Sequence, residues 1–235
     1  MGGAMGETRS GARVSSPRNP KIMSQSNHHR VEYGKATLEE GATGSDPFAL
    51  FGQWLDDAIA DELPEPHAMS LASMGAFTIS CRIVLLRGFD AEGFVFYTNH
   101  NSRKAMDLER DPRAALTFFW AQHERQVRIE GRAEHVSVEE SDAYFASRPR
   151  ESQLGAWSSD QSRPVADRTA LEERYTRWVD RFKDEGTVPR PLHWGGYRVR
   201  PVRIEFWQGR TSRMHDRIVF ERMSDGTWLR MRLQP

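Results

Sequence analysis

From Asp46 onward the hydrophobic positions switch between two periods. Asp46-Pro47 has the form of a helix start, an N-cap side chain followed by proline in the first turn. Phe48, Phe51, Leu55 and Ile59 then recur at helical spacing, with Trp54 and Ala58 beside them. Strand-like runs follow at 68–74, 78–87 and 93–98, the last holding Phe94, Val95, Phe96 and Tyr97. Residues 102–110 predict a short helix, stopped by Asp111-Pro112. Two more strands are predicted at 114–120 and 125–136. In the second, Val127 and Ile129 alternate with Gln126, Arg128 and Glu130, giving one buried and one polar face. Ser137-Val138-Glu139-Glu140 is a capping box that opens a helix running to Ser147. Asp167 opens a longer one, with Leu171, Tyr175, Trp178 and Phe182 on one face and Gly186 at its end. Strands return at 197–207, 217–222 and 228–233. There is no internal repeat. Many strands at short spacing with a few helices between them predict an α+β fold, an antiparallel barrel with helices packed outside.

Composition narrows the function classes. The 235 residues suit one domain, or one domain with a tail. Basic and acidic residues number 33 each, so the chain lacks the basic excess of a non-specific nucleic-acid binder. No apolar run approaches the ~20 residues that span a bilayer. Cys81 is the one cysteine, which rules out an intrachain disulfide and suits a reducing, cytoplasmic setting. It lies in an apolar stretch and is expected to be a buried small hydrophobe. Residues 1–27 are rich in Gly, Ser, Arg, Asn and Pro. They read as a disordered tail, or as a start-site artefact with Met5 and Met23 as alternative starts. The domain proper is expected over 28–235.

Three constellations could carry chemistry. If 212–218 is extended, Arg213, His215 and Arg217 project from one side, a cationic strip suited to an anionic or planar ligand. The same pattern also suits a solvated strand face. Phe206-Trp207-Gln208-Gly209 brings a large aromatic and a turn glycine next to it. Arg82 and Arg87 bracket Ile83, Val84, Leu85 and Leu86. Five positions apart, they either serve different groups or are re-aimed by a bulge. Tyr97-Thr98-Asn99 then leads to Ser102-Arg103-Lys104, a helix start with a hydroxyl and two cations that could hold a phosphate. Tyr144, Arg148, Arg150 and Ser152 form the third group, around a helix end that Pro149 is expected to mark. No nucleophile, metal or Rossmann motif is present, so the chemistry has to come from a bound cofactor.

Taken in order, these segments resemble the pyridoxine (pyridoxamine) 5'-phosphate oxidase family. The resemblance rests on Arg82-Ile83-Val84-Leu85-Leu86, Tyr97-Thr98-Asn99 with Ser102-Arg103-Lys104, and Glu124-Arg125-Gln126-Val127. It continues through Ser147-Arg148-Pro149-Arg150 with Ser152-Gln153, Gln161-Ser162, and Trp194-Gly195-Gly196-Tyr197. It ends in Glu205-Phe206-Trp207-Gln208-Gly209 with Arg213, His215, Asp216 and Arg217. It implies an FMN-binding split β-barrel homodimer with FMN at each subunit interface. It also implies oxidation of pyridoxine or pyridoxamine 5'-phosphate to pyridoxal 5'-phosphate, with O2 reduced to H2O2.

By position, the resemblance gives Arg82, Arg103 and Lys104 to the FMN phosphate side, with Ile83, Val84, Leu85, Leu86 and Arg87 in the same FMN-binding run. Tyr97 and Thr98 are further FMN contacts. Gln126, Trp207 and Arg217 go to the flavin, and Gln161 and Ser162 to contacts from the partner subunit. Tyr144, Arg148 and Ser152, with Arg87, form the substrate-phosphate clamp. Arg213 and His215 face the substrate ring as the catalytic pair, and Arg30 and Tyr33 belong to a segment that covers bound substrate. Three departures stand out: Arg87 where lysine is usual, Glu65 where aspartate is common, and a shorter 75–80 turn. Two other readings are a split-barrel FMN oxidase acting on a phenazine-type ring, and a non-catalytic FMN or pyridoxal phosphate carrier. The first has no need of a phosphate clamp, and the second none of Arg213 and His215.

Overall fold

The computed structural model describes residues 1–2 and 32–235. The expectations for the N-terminal tail and for Arg30 therefore fall almost wholly outside the described residues. Nine strands make one antiparallel sheet: β1 (Ala68–Met74), β2 (Ile79–Leu85), β3 (Gly88–Asp90), β4 (Gly93–Asn99), β5 (Arg113–Trp120), β6 (Arg125–His135), β7 (Trp194–Gln208), β8 (Asp216–Arg222) and β9 (Trp228–Arg232). The hydrogen-bonded order is β2-β1-β5-β6-β7-β4-β3, with β8 and β9 branching from β7. The two end strands, β2 and β3, are separated in sequence only by Leu86 and Arg87. That short corner keeps the two end strands close, so the sheet curls into a half-barrel in which β2 and β3 remain unpaired with each other. β7 serves two neighbours in turn. Its first half pairs with β4, and its second half pairs with β8.

Helix α1 (Pro47–Ala60) packs its buried stripe against the sheet. Asp46 caps it, accepting from the Phe48 amide at 2.8 Å. Phe51 is fully buried, with its ring centroid 4.9–5.0 Å from those of Phe89, Phe94 and Phe118. Truncating such a side chain costs about 3–5 kcal/mol. Ile59, expected on this stripe, is exposed instead, because the helix ends at Ala60 beside the barrel rim. Helices α2 (Arg103–Arg110), α3 (Val138–Ser147), α4 (Arg150–Ser158) and α5 (Arg168–Phe182) complete the chain. Phe145, Leu154, Phe182 and Trp194 form a second, smaller core beneath the last three.

Several sequence expectations change. The strand expected at 78–87 is shorter, Ile79–Leu85: Leu86 turns into the core and a new strand, β3, begins at Gly88. Cys81 is exposed rather than buried, since it shares the outward side of edge strand β2 with Ile79 and Ile83. Pro149 ends α3 but also opens α4, because its fixed φ suits a helix entry as well as a helix stop. The segment 212–218 is not extended throughout. Thr211–Arg213 form a 3-10 turn in which Ser212 and Arg213 have φ of 54° and 62°, and β8 starts only at Asp216. The alternation argument for a three-residue strip therefore fails.

Candidate active site

One cleft of about 450 Å³ gathers Arg87 and Lys104 from the second constellation and Tyr144, Arg148 and Ser152 from the third. Lys104 lies at one end. Ser102 caps α2 and points the first turn at the end of β4, where Thr98 and Asn99 stand. Lys104 is buried, and its Nζ donates to Thr98 Oγ1 at 3.0 Å, Gln161 Oε1 at 2.9 Å and Ser102 Oγ at 3.4 Å. All three acceptors are neutral. Burial first, and the nearby Arg82 guanidinium second, push this ammonium down to about 8. Gln161 reaches the cleft of its own chain. Asn99 holds the preceding loop by donating from Nδ2 to the Ser159 carbonyl at 3.1 Å.

The other end is aromatic and cationic. Tyr97 stacks on Tyr144 at 3.9 Å and on Trp194 at 5.4 Å, and the Arg148 guanidinium sits 4.6 Å from the Trp194 ring. Gly196 makes this stack possible: a Cβ there would come within 2.8 Å of the Tyr97 ring. Burial, followed by Glu140, pushes the Tyr97 hydroxyl up to about 12, so it stays protonated. Among the described residues, Arg148 Nη1 is buried without a hydrogen-bond partner. Burial and the neighbouring Arg87 both lower its affinity for the proton, Tyr144 opposing. A buried guanidinium with an unused donor fits an anionic ligand. Arg87 and Ser152 line the same cleft. Ile83, Val84 and Leu85 line it from β2, whereas Leu86 points into the core.

Arg82 is outside the lining. Its Nη1 donates to the Leu71 carbonyl at 3.1 Å and to Ser73 Oγ at 2.7 Å, and its Nη2 to Ser80. Asp107 binds the same two serines and lies 3.7 Å from the guanidinium. Arg82 and Arg87 thus serve different groups. Arg103 and Ser162 are exposed beside the cleft sequence and do not line it.

The remaining candidates form a separate row. Trp207 on β7 pairs with Gln126 on β6 and Arg217 on β8. Buried Glu205 fixes Arg217, with Arg217 Nε and Nη2 both 2.9 Å from Oε1. His215 lies 4.7 Å from Trp207, and Tyr33 stands edge-on to both rings at 5.6 and 5.8 Å. Arg213 is exposed in the preceding turn. Tyr97 pairs with Gly196, so eleven residues of β7 separate that cleft residue from Trp207. At ~3.3 Å per residue this is a contour of about 36 Å. No member of the row lines the cleft.

Residues 55–182 match a family model described as pyridoxamine 5'-phosphate oxidase, and residues 194–235 match the pyridoxine 5'-phosphate oxidase C-terminal dimerisation region. The chain belongs to the pyridoxamine 5'-phosphate oxidase family. The second match supports a homodimer. A pyridoxine/pyridoxamine 5'-phosphate oxidase of Cupriavidus pinatubonensis is 52% identical over 207 residues, covering 88% of this chain and 97% of the relative. One from Rubrobacter xylanophilus is 54% identical, covering 88% and 94%. Among solved structures, PhzG from Burkholderia lata in complex with tetrahydrophenazine-1-carboxylic acid superposes with a TM-score of 0.80 at 28% identity, covering 86% of this chain and all of that one.

Membership of the oxidase family leaves some contributors that the sequence did not assign. Trp194, quoted only as part of a motif, lines the cleft and carries Arg148. Asp107 and Ser73 steady Arg82, and no spacing rule links residues 34 positions apart. Glu124, at the turn before β6, is buried with φ of 55°. Its carboxylate accepts two backbone N–H groups from the N-terminal segment.

Proposed function

We propose that the protein is an FMN-dependent oxidase converting pyridoxine 5'-phosphate and pyridoxamine 5'-phosphate to pyridoxal 5'-phosphate. O2 is the terminal acceptor and H2O2 the product, and the pyridoxamine ester also needs water and releases ammonia. The observation that carries this reading is the pair of cationic poles in one cleft. Among the described residues, Lys104 has only neutral hydrogen-bond partners, and Arg148 has an unused buried donor. Two poles suit two phosphate groups, one on the cofactor and one on the substrate.

In this reading Lys104, Thr98, Tyr97 and Gln161 hold the FMN phosphate side, with residues 83–85 beside them. Arg82, Arg103 and Ser162 act from just outside it. Tyr144, Arg148, Ser152 and Arg87 hold the substrate phosphate, and this remote binding energy orients the reacting carbon. FMN, when bound, would supply a two-electron oxidant for the substrate C4' carbon. Gln126, Trp207 and Arg217 face the flavin, and Arg213 and His215 face the substrate ring. The Arg210 amide donates to His215 Nδ1 at 3.1 Å. In the neutral imidazole the proton is then on Nε2, which can donate to a ring oxygen.

The length of β7 supports a site built from two copies, the cleft of one and the Trp207 row of the other. The exposed outward side of β2, with Ile79, Cys81 and Ile83 next to the cleft, is the apolar surface such a partner would cover.

Adding pyridoxine 5'-phosphate to the FMN-loaded protein without oxygen tests the reading. Flavin absorbance should bleach as pyridoxal 5'-phosphate forms; no bleaching and no product would sink it. The likeness to PhzG motivates a second reading, an oxidase for a phenazine-type ring. Such a substrate carries a ring carboxylate but no phosphate ester, so turnover with and without the substrate phosphate separates the two.

A further inference from the structure

Among the described residues the chain first meets the barrel as an extended strap, residues 32–38. Two buried carboxylates pin it by its backbone. Glu124 Oε2 accepts from the Gly34 amide at 2.7 Å and the Lys35 amide at 3.0 Å. Asp216 Oδ2 accepts from the Leu38 amide at 3.0 Å, while Arg232 donates to Asp216 Oδ1 and the Leu38 carbonyl. Between strap and barrel, Gly209 leaves room for a ring. A Cβ there would come 2.7 Å from Tyr33 Cγ and 3.0 Å from Glu124 Cβ. The Glu124 carbonyl accepts the Gly209 amide at 2.7 Å, so strap, β5–β6 turn and end of β7 meet at one residue. Glu124 holds φ of 55°, a conformation that is costly for a non-glycine residue and is kept where surroundings impose it.

We propose that Glu124 is a positioning residue: its carboxylate holds the strap so that Tyr33 stands against Trp207 and His215 and closes one side of the substrate ring pocket. This rests on the oxidase reading above, in which Trp207 and His215 face flavin and substrate. Asp216 also binds Arg210, so its loss would disturb the His215 turn as well; Glu124 is the cleaner lever.

The test uses the FMN-loaded dimer and Glu124→Ala. Amide hydrogen exchange should quicken about tenfold or more at Gly34 and Lys35, the two amides that lose a charged acceptor, and much less at Leu38. The KM for pyridoxine 5'-phosphate should rise about tenfold, with FMN affinity within twofold of the parent. Glu124→Gln, which keeps a carbonyl oxygen, should recover most of the loss. Tyr33→Ala should raise KM comparably, and the double variant should be no worse than the worse single one. Exchange unchanged at Gly34 and Lys35 overturns the clamp. Faster exchange with unchanged KM, or additive losses with Tyr33→Ala, reduces Glu124 to a structural role and overturns the proposal. If Glu124→Ala does not fold, Gly209→Ala displaces the Tyr33 ring directly, and an unchanged KM there overturns it too. No turnover by the unmutated protein would defeat the oxidase reading and the proposal with it; the other failures leave that reading standing.

Discussion

Replacing Lys104 with methionine separates what this lysine does for the fold from what it does for a ligand. Its pKa of about 8 lies well below the usual 10.4, and the difference corresponds to roughly 3 kcal/mol against the charged form. Because the folded value is the lower one, the charged lysine destabilises the fold fully below pH 8. That penalty fades as pH rises from 8 towards 10. Methionine removes it, at the cost of hydrogen bonds worth about 1–2 kcal/mol. Thr98 Oγ1 still donates to Gln161 Oε1 at 3.0 Å, so neither group is stranded. FMN-free Lys104→Met is therefore expected to match or exceed the parent in stability at pH 7, by on the order of 1–2 kcal/mol. FMN binding should weaken by about 10- to 100-fold, the loss of one charge-assisted contact. The lysine also sets a pH dependence. The phosphate ester is a dianion well below pH 8 and favours protonated Lys104, so FMN affinity in the parent should fall towards about tenfold per pH unit above 8. The variant should lack that slope. Fluorescence titrations between pH 7 and 9.5, with thermal unfolding of the FMN-free proteins, measure all three. A variant destabilised by more than about 2 kcal/mol, or one that binds FMN within threefold of the parent, refutes the assignment.

Arg148→Leu keeps apolar contact with Trp194 but removes the unused donor. Steady-state kinetics should give a KM for pyridoxine 5'-phosphate raised about 10- to 100-fold, with FMN affinity unchanged. Equal losses in both would place Arg148 on the cofactor instead. Glu205→Gln removes a buried carboxylate shared by Arg217 at 2.9 Å and by Arg128 and Arg203 at 3.6 Å. Denaturant titration should report a loss of about 3 kcal/mol, and an unmoved midpoint would mean the three guanidiniums rely on solvent.

The elements with strong local chemistry were legible in the sequence. Ser102 and Ser137 cap the helices they were expected to cap, and the Val127/Ile129 alternation gives the two faces of β6. What stayed hidden depends on backbone conformations that no residue type announces. Ser212 and Arg213 hold positive φ without glycine, so an apparently extended strip is a turn. Pro149 marks the end of one helix in the sequence pattern, while its role as the start of α4 depends on the backbone turning there. Cys81 and its neighbours are apolar enough to suggest a core, yet they face outward from a strand at the sheet end, a placement set by topology rather than period. The cleft combined both cases. Ser102, Lys104 and Arg148 were visible as candidates, whereas the Thr98–Lys104–Gln161 triangle needed the fold to bring position 161 back to β4.

That triangle and the Trp207 row lie at opposite ends of β7, and the strand's own design explains why. Its first half carries Gly195 and Gly196, which let Tyr97 and His100 lie against bare backbone beside the cleft. Its second half carries Glu205 and Trp207, where Arg217 is locked by a buried carboxylate. Neither half has room for the other's furniture: a side chain at 196 would strike Tyr97, and a glycine at 205 would free Arg217. On the proposed reading, a single chain thus carries half of a phosphate-and-flavin site at each end of β7. In the two-copy reading, a two-fold pairing of chains would let each half meet its complement, and a partner reaching the outward side of β2 would remove the exposed Ile79 and Ile83 from water.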